Sequence, residues 1–169
     1  MTVKYCLDTS GVSNPFTDLP EDIYASLWLS VRQKIAAGVF CWNVEIAKEL
    51  QHINGNLGSC IQGCNGSSCL EVGVGSWPWA SYLTIFETLR TTYGDYISEY
   101  NGNRADTVGV TDVSIVALAK ALSLPVVSME KPNLLQPSQK KMRIPELCGK
   151  VHVKHMTFNE FLRAEGITA

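Results

Sequence analysis

Two rhythms of apolar and polar positions run along this chain. Short unbroken apolar runs occur at VKYCLD (3–8), GVFCW (38–42), PVVSM (125–129) and KVHVK (150–154), and their length and β-branched content predict strands buried on both faces. Helical spacing fills the intervals. PEDIYASLWLSVRQKIAAG sets Ile23, Leu27, Val31 and Ile35 four apart, which predicts a helix opening near Pro20, with Glu21 and Asp22 at the dipole's positive end and Gly38 as its stop. NVEIAKELQHI predicts a second helix with Asn43 as N-cap. TDVSIVALAKAL (111–122) predicts a third, capped by Thr111 and apolar on most of its surface, hence deeply buried. TFNEFLRAEG (157–166) carries Thr157 as N-cap, Glu160 at the capping-box position and Gly166 as stop. Leu83, Ile85, Phe86, Leu89 and Tyr93 give 79–100 helical spacing as well, whereas 52–77, rich in Gly, Ser and Asn, reads as an irregular excursion.

Strands alternating with helices predict an α/β fold around a central, mainly parallel sheet, formed by a single domain over 1–169. In such folds ligands bind beyond the carboxyl ends of the strands, at a topological switch point. The first strand ends on a bare carboxylate, Asp8. An unpaired charge inside a buried strand costs several kcal/mol, so Asp8 belongs at the exposed carboxyl tip, where the fold puts chemistry.

Composition narrows the picture little. Lys+Arg 14 against Asp+Glu 16 gives a net charge of −2, so nucleic acid would need a local basic patch. No stretch approaches the roughly 20 apolar residues of a membrane span, and the opening residues lack a signal-peptide pattern, so no membrane contact and a cytoplasmic location are expected. In that compartment the cysteines are expected to be reduced. Cys6 and Cys41 read as core residues. Cys60, Cys64 and Cys69, in CIQGCNGSSC, do not follow zinc-knuckle spacing; they are either plain loop thiols or three metal ligands completed by His52.

Four carboxylates share a grammar. Asp8 and Glu130 end apolar strands, Asp112 opens a helix, and Glu49 lies on the helix after the second strand. Each also has an ordinary explanation: Asp112 as a helix-dipole partner, Glu49 as a solvated helix residue, Glu130 as a loop charge. Glu45 stands one turn before Glu49 as a substitute, and Asp106 is either loop or ligand. Converging acids would repel one another unless a hard divalent cation bound between them, and such a cation activates water against a phosphodiester. The histidines offer no competing site. His52 falls in the excursion, and His152 and His155 stand three apart on a predicted strand, facing opposite ways.

YCLDTS, EIAKEL and VTDVSIVALAKALSLPVVSMEKP resemble the PIN-domain family of VapC-like ribonucleases, in which an opening D-T-S, a helix of the form D-x-x-I-x-A-x-A and a strand ending in [TS]-x-[DE] recur. KKMRIPELCGKVHVKHMTFNEFL is similar to the end of one PIN-like branch. The resemblance covers about 1–51 and 104–165. It implies a three-layer α-β-α sandwich, metal ligands at Asp8, Glu49, Asp112 and Glu130, and supporting hydroxyls at Thr9 or Ser10 and at Ser128. It also implies Mg²⁺- or Mn²⁺-dependent cleavage of RNA, in many relatives as a toxin silenced by a small antitoxin protein; a homodimer is one candidate assembly, and the sequence does not fix the oligomeric state. Lys131, Lys140, Lys141 and Arg143, with Arg104 opposite, are candidate RNA contacts or an ordinary solvated loop. Trp77, Trp79 and Tyr82 are base-stacking residues or anchors for the preceding loop. The competing reading is a PIN-like binding or scaffold module whose site is weak or inactive. A haloacid-dehalogenase-type phosphatase would need a second Asp where Ser10 stands.

Overall fold

Tyr5–Leu7 form the middle strand, β1, and all three residues are buried because neighbours cover both edges and both faces. The structure is a computed structural model describing residues 2–132 and 141–168. In chain order β1 is followed by α1 (Ser10–Asp18), α2 (Ala25–Ala36), β2 (Phe40–Asn43), α3 (Val44–Leu50), α4 (Gly55–Ser68), β3 (Cys69–Leu70), α5 (Trp79–Thr92), α6 (Ser98–Asn101), α7 (Val110–Leu122), β4 (Val126–Val127), α8 (Ile144–Lys150), β5 (His155–Met156) and α9 (Phe158–Ala164). The sheet order is β3-β2-β1-β4-β5, and every pairing is parallel, with Cys6 opposite both Cys41 and Val126.

Right-handed crossovers then decide where the helices go. The path β1→β2→β3 runs one way along the sheet and β3→β4→β5 runs back, so the connecting helices cover opposite faces. α7 lies on β1, β2 and β4 with α5 and α8 beside it, while α2 packs on α4 and α1 on α9. The result is the expected three-layer sandwich. Trp28, stacked on Phe158 at 5.5 Å and edge-on to Phe16 at 5.0 Å, fills the α1–α2–α9 layer. Glu165 fastens the chain's end to this layer through Lys4, Lys34 and the Tyr5 hydroxyl. Among the described residues no helix is long and apolar enough to cross a membrane. The direction of travel reverses between β1 and β4, so the switch point lies beyond Leu7 and Val127.

Several expectations need correction. Most of 52–77 is not irregular: residues 55–68 are helical and 69–70 add an edge strand. Leu57 and Ile61, four apart and buried, drive α4 onto α2 despite its glycines, so packing overrides propensity. The helix predicted from Pro20 begins at Ala25, leaving Ile23 70% exposed, and an unpredicted α1 fills 10–18 with Pro15 inside it. The apolar run 150–154 is the end of α8 and a turn. Pro145 at the start of α8 and buried Leu147 and Cys148 make 144–150 helical, and pairing moves on to 155–156. His152 is therefore in a turn with φ +57°, not on a strand with His155.

Gly11 sits at the closest approach of α1 to the sheet. A Cβ there would lie 2.6 Å from the Val127 carbonyl oxygen, the same oxygen that accepts the Asp8 N–H at 3.0 Å. Gly11→Ala is expected to cost about 1–3 kcal/mol by overpacking, visible as a lower urea midpoint with an unchanged m-value.

Candidate metal centre

Asp8 is 4% exposed, and its surroundings explain how the chain tolerates it there. The first turn of α1 folds back so that both the backbone N–H (3.0 Å) and the hydroxyl of Ser10 donate to Asp8 Oδ2. Ser10 Oγ in turn accepts the Met129 N–H at 3.1 Å, tying the tip of β1 to the exit of β4. One hydroxyl thus orients Asp8 and fastens the two strand ends flanking the switch point.

β4 leaves the sheet through Ser128, Met129 and Glu130. Ser128 is fully buried; its Oγ accepts the Glu130 N–H at 3.3 Å and lies 2.8 Å from His155 Nε2. Glu130 Oε2 accepts the Ile144 N–H at 2.8 Å, at the start of α8.

α7 precedes β4 and runs against it, so its N-terminus reaches the carboxyl edge of the sheet. It starts two residues earlier than Thr111-capping implies: Gly109 is the N-cap, and Asp112 sits in the first turn with Oδ2 accepting the Gly109 N–H at 2.6 Å. Glu99 accepts the Val110 N–H at 3.1 Å, a second carboxylate on the same helix end that sequence reading missed because it acts across eleven residues. Glu49, in the last turn of α3, is brought in by Thr9, whose hydroxyl donates to Oε2 at 2.6 Å. α3 itself starts as predicted, with Asn43 accepting the Ile46 N–H; Asn43 also donates to Ser114, and the buried pair anchors α3 to α7.

The four acids feel one another. Burial pushes the Asp8 carboxyl up to about 6, with Glu130 and Glu49 adding to the rise and the Ser10 hydrogen bonds opposing it. Burial, then the charges of Asp8, Glu130 and Glu49, push Asp112 up to about 8 against the Gly109 hydrogen bond. Cys148, buried below, rises to about 12 through burial and then the charges of Asp8 and Glu130. Among the described residues no Lys or Arg forms an ion pair with any of the four. Each acid anchors one oxygen in a hydrogen bond described above and keeps the other for a further partner.

Hard oxygen donors that repel one another, here ranging from buried Asp8 to exposed Glu49, suit Mg²⁺ or Mn²⁺. As the side chains stand, no three His, Cys, Asp or Glu among the described residues close into a finished metal cage.

Other predicted residues fall elsewhere. Asp106 is not in the cluster; it pairs with Lys141 at 3.1 Å and with Arg143, so these two cations hold the 104–108 loop. Arg104 and Lys131 are exposed, and Lys140 lies outside the described residues. Glu45 is exposed and paired with Lys48 at 3.1 Å. Cys60 and Cys64 lie one turn apart on α4 and Cys69 opens β3, all partly buried and unassociated with His52 in any metal grouping among the described residues. Tyr82 is buried, and Trp77 packs on it at 5.5 Å while donating to the Glu71 carbonyl; both are anchors, and Trp79 alone of the three is exposed.

A family model described as a domain of unknown function, DUF4411, matches residues 5–169. No curated protein matches the chain. Among solved structures it is similar to a chain of DNA-bound VapBC from Salmonella typhimurium, at 16% identity and a TM-score of 0.44, over 93% of this chain and 99% of that one. It is likewise similar to a chain of FitAcB from Neisseria gonorrhoeae, at 17% identity and a TM-score of 0.44, over 91% and 97% respectively.

Proposed function

We propose that the chain, which belongs to the DUF4411 family, is a divalent-metal-dependent endoribonuclease that hydrolyses RNA phosphodiester bonds. What supports this reading is the mutual charge effect among Asp8, Glu49, Asp112 and Glu130, none of which is ion-paired to a Lys or Arg among the described residues. The PIN resemblance assigns the same four positions to metal ligands. Bound Mg²⁺ or Mn²⁺ would supply positive charge opposite the phosphate and lower the pKa of an attacking water.

The chain's own residues supply the rest. Ser10 and Gly109 fix the directions of Asp8 and Asp112, while Ser128 and the Ile144 N–H fix Glu130. The Thr9 hydroxyl holds one oxygen of exposed Glu49. Exposed Arg104 and Lys131 would neutralise RNA phosphates, while Lys141 and Arg143 are engaged with Asp106. A small protein partner of the antitoxin type, and a homodimer, belong to the same reading. Exposed Val72, Val74, Trp79 and Leu83, on the loop after β3 and the start of α5, support a protein partner.

An unstructured RNA oligonucleotide incubated with the purified chain is expected to yield internal fragments with Mn²⁺ or Mg²⁺ and none with EDTA. Absence of cleavage with either ion, or equal cleavage by Asp8→Asn, would refute the proposal.

A further inference from the structure

We propose that His155 is a positioning residue for Glu130, acting through the Ser128 hydroxyl; this rests on reading Glu130 as a site acid. The strand register sets up the contact. His155 stands opposite Val126 in the β4–β5 pairing, and Ser128, two residues beyond Val126, shares the face of the sheet on which His155 projects. The Ser128 N–H donates to the Met156 carbonyl at 3.0 Å, which fixes that register up to the site.

Hydrogen-bond direction makes the contact informative. Ser128 Oγ accepts the Glu130 N–H, so its own proton is left to go to His155 Nε2 at 2.8 Å. With the opposite tautomer Nε2 would donate, and the serine proton would be stranded in a site with 0% exposure, at a cost of about 1–3 kcal/mol. The imidazole therefore carries its proton on Nδ1 and accepts on Nε2. Burial lowers the His155 pKa, which agrees with a neutral ring. A defined acceptor for the Ser128 proton turns the Oγ lone pairs toward the Glu130 N–H. The backbone that carries the acid is thereby held from the sheet side, while Ile144 holds its carboxylate from α8.

A ring that only filled space would be replaceable by another of the same shape. The test compares His155→Phe, His155→Gln, Ser128→Ala and the double variant Ser128→Ala/His155→Phe. Three quantities are read: Mn²⁺ affinity by calorimetry, exchange of the Glu130 amide by NMR, and melting temperature without metal. His155→Phe is expected to weaken Mn²⁺ about tenfold, the lower end of outer-shell effects, and to speed exchange of the Glu130 amide. Ser128→Ala should do the same. Adding His155→Phe to Ser128→Ala should change affinity less than about twofold, since the route is already cut. His155→Gln, which keeps an acceptor at similar reach, should stay near wild type.

Wild-type Mn²⁺ affinity and Glu130 exchange in His155→Phe would overturn the proposal, as would losses that add in full. Should His155→Phe fail to fold, a Glu130 amide in Ser128→Ala that exchanges at the wild-type rate overturns it equally. If the wild type binds no Mn²⁺, the metal reading fails instead, and the Glu130 amide still decides whether His155 holds that backbone.

Discussion

Asp112→Asn is expected to lower RNA cleavage at least about 100-fold while leaving the metal-free protein as stable as wild type, or more so, at pH 8.5. The two effects separate because the side chain has two jobs. Its Oδ2 caps Gly109, and an asparagine oxygen accepts the same N–H. Its charge, by contrast, is set in a buried place facing Asp8, Glu130 and Glu49, which is why its carboxyl rises to about 8. A carboxyl whose folded pKa lies above its unfolded value near 4 keeps its proton longer in the native state. Native stability then falls as pH climbs from about 4 through about 8. Above that range the full charge is present and the penalty complete, so removing the charge costs nothing and relieves its neighbours. Urea unfolding at pH 8.5 and a cleavage assay with Mn²⁺ check the pair. A loss of more than about 1 kcal/mol in the unfolding experiment would mean that the charge serves the α7 dipole and not a cation.

What was legible in the sequence, and what was not, follows from how far each signal reaches along the chain. The tip of β1 announced Asp8, because an apolar run delivering a carboxylate has one comfortable place to put it. Asn43 as N-cap, and Thr157 with Glu160, were readable because a cap acts within three residues, and the structure shows both. α4 was hidden because its helix rests on Leu57 and Ile61 meeting α2, and glycine and serine propensities oppose it. β5 was displaced because Val151 and Val153 look like a strand, but the turn after α8 places them ahead of the pairing that starts at His155. The pairing of Asp106 with Lys141 and Arg143 joins residues 35 and 37 apart, beyond any local pattern, so the sequence leaves both readings of these residues open. The His155 contact is illegible for a like reason, since its partner Ser128 lies just past β4, 27 residues away.

Added Mn²⁺ should raise the melting temperature by about 5–10 °C at pH 8.5, at concentrations near 100 times its dissociation constant, and by much less at pH 5.5. At pH 5.5 Asp112, and much of Asp8, hold protons that an incoming cation must displace. At pH 8.5 both are largely ionised and repel each other, so the metal-free protein is at its weakest and the cation relieves the largest strain. The metal-free protein should accordingly melt lower at pH 8.5 than at pH 5.5, and Mn²⁺ should shrink or reverse that difference. An equal rise at both pH values would locate the ion on groups other than this pair. The double variant Asp8→Asn/Asp112→Asn sharpens the point, because it keeps acceptor oxygens at both positions while removing both titrating groups. Its melting temperature should vary little between the two pH values and respond weakly to Mn²⁺. If the pH slope survived unchanged in that variant, the alkaline weakness would come from elsewhere in the chain, and the acids at the switch point would lose their claim to be a strained pair that a cation completes.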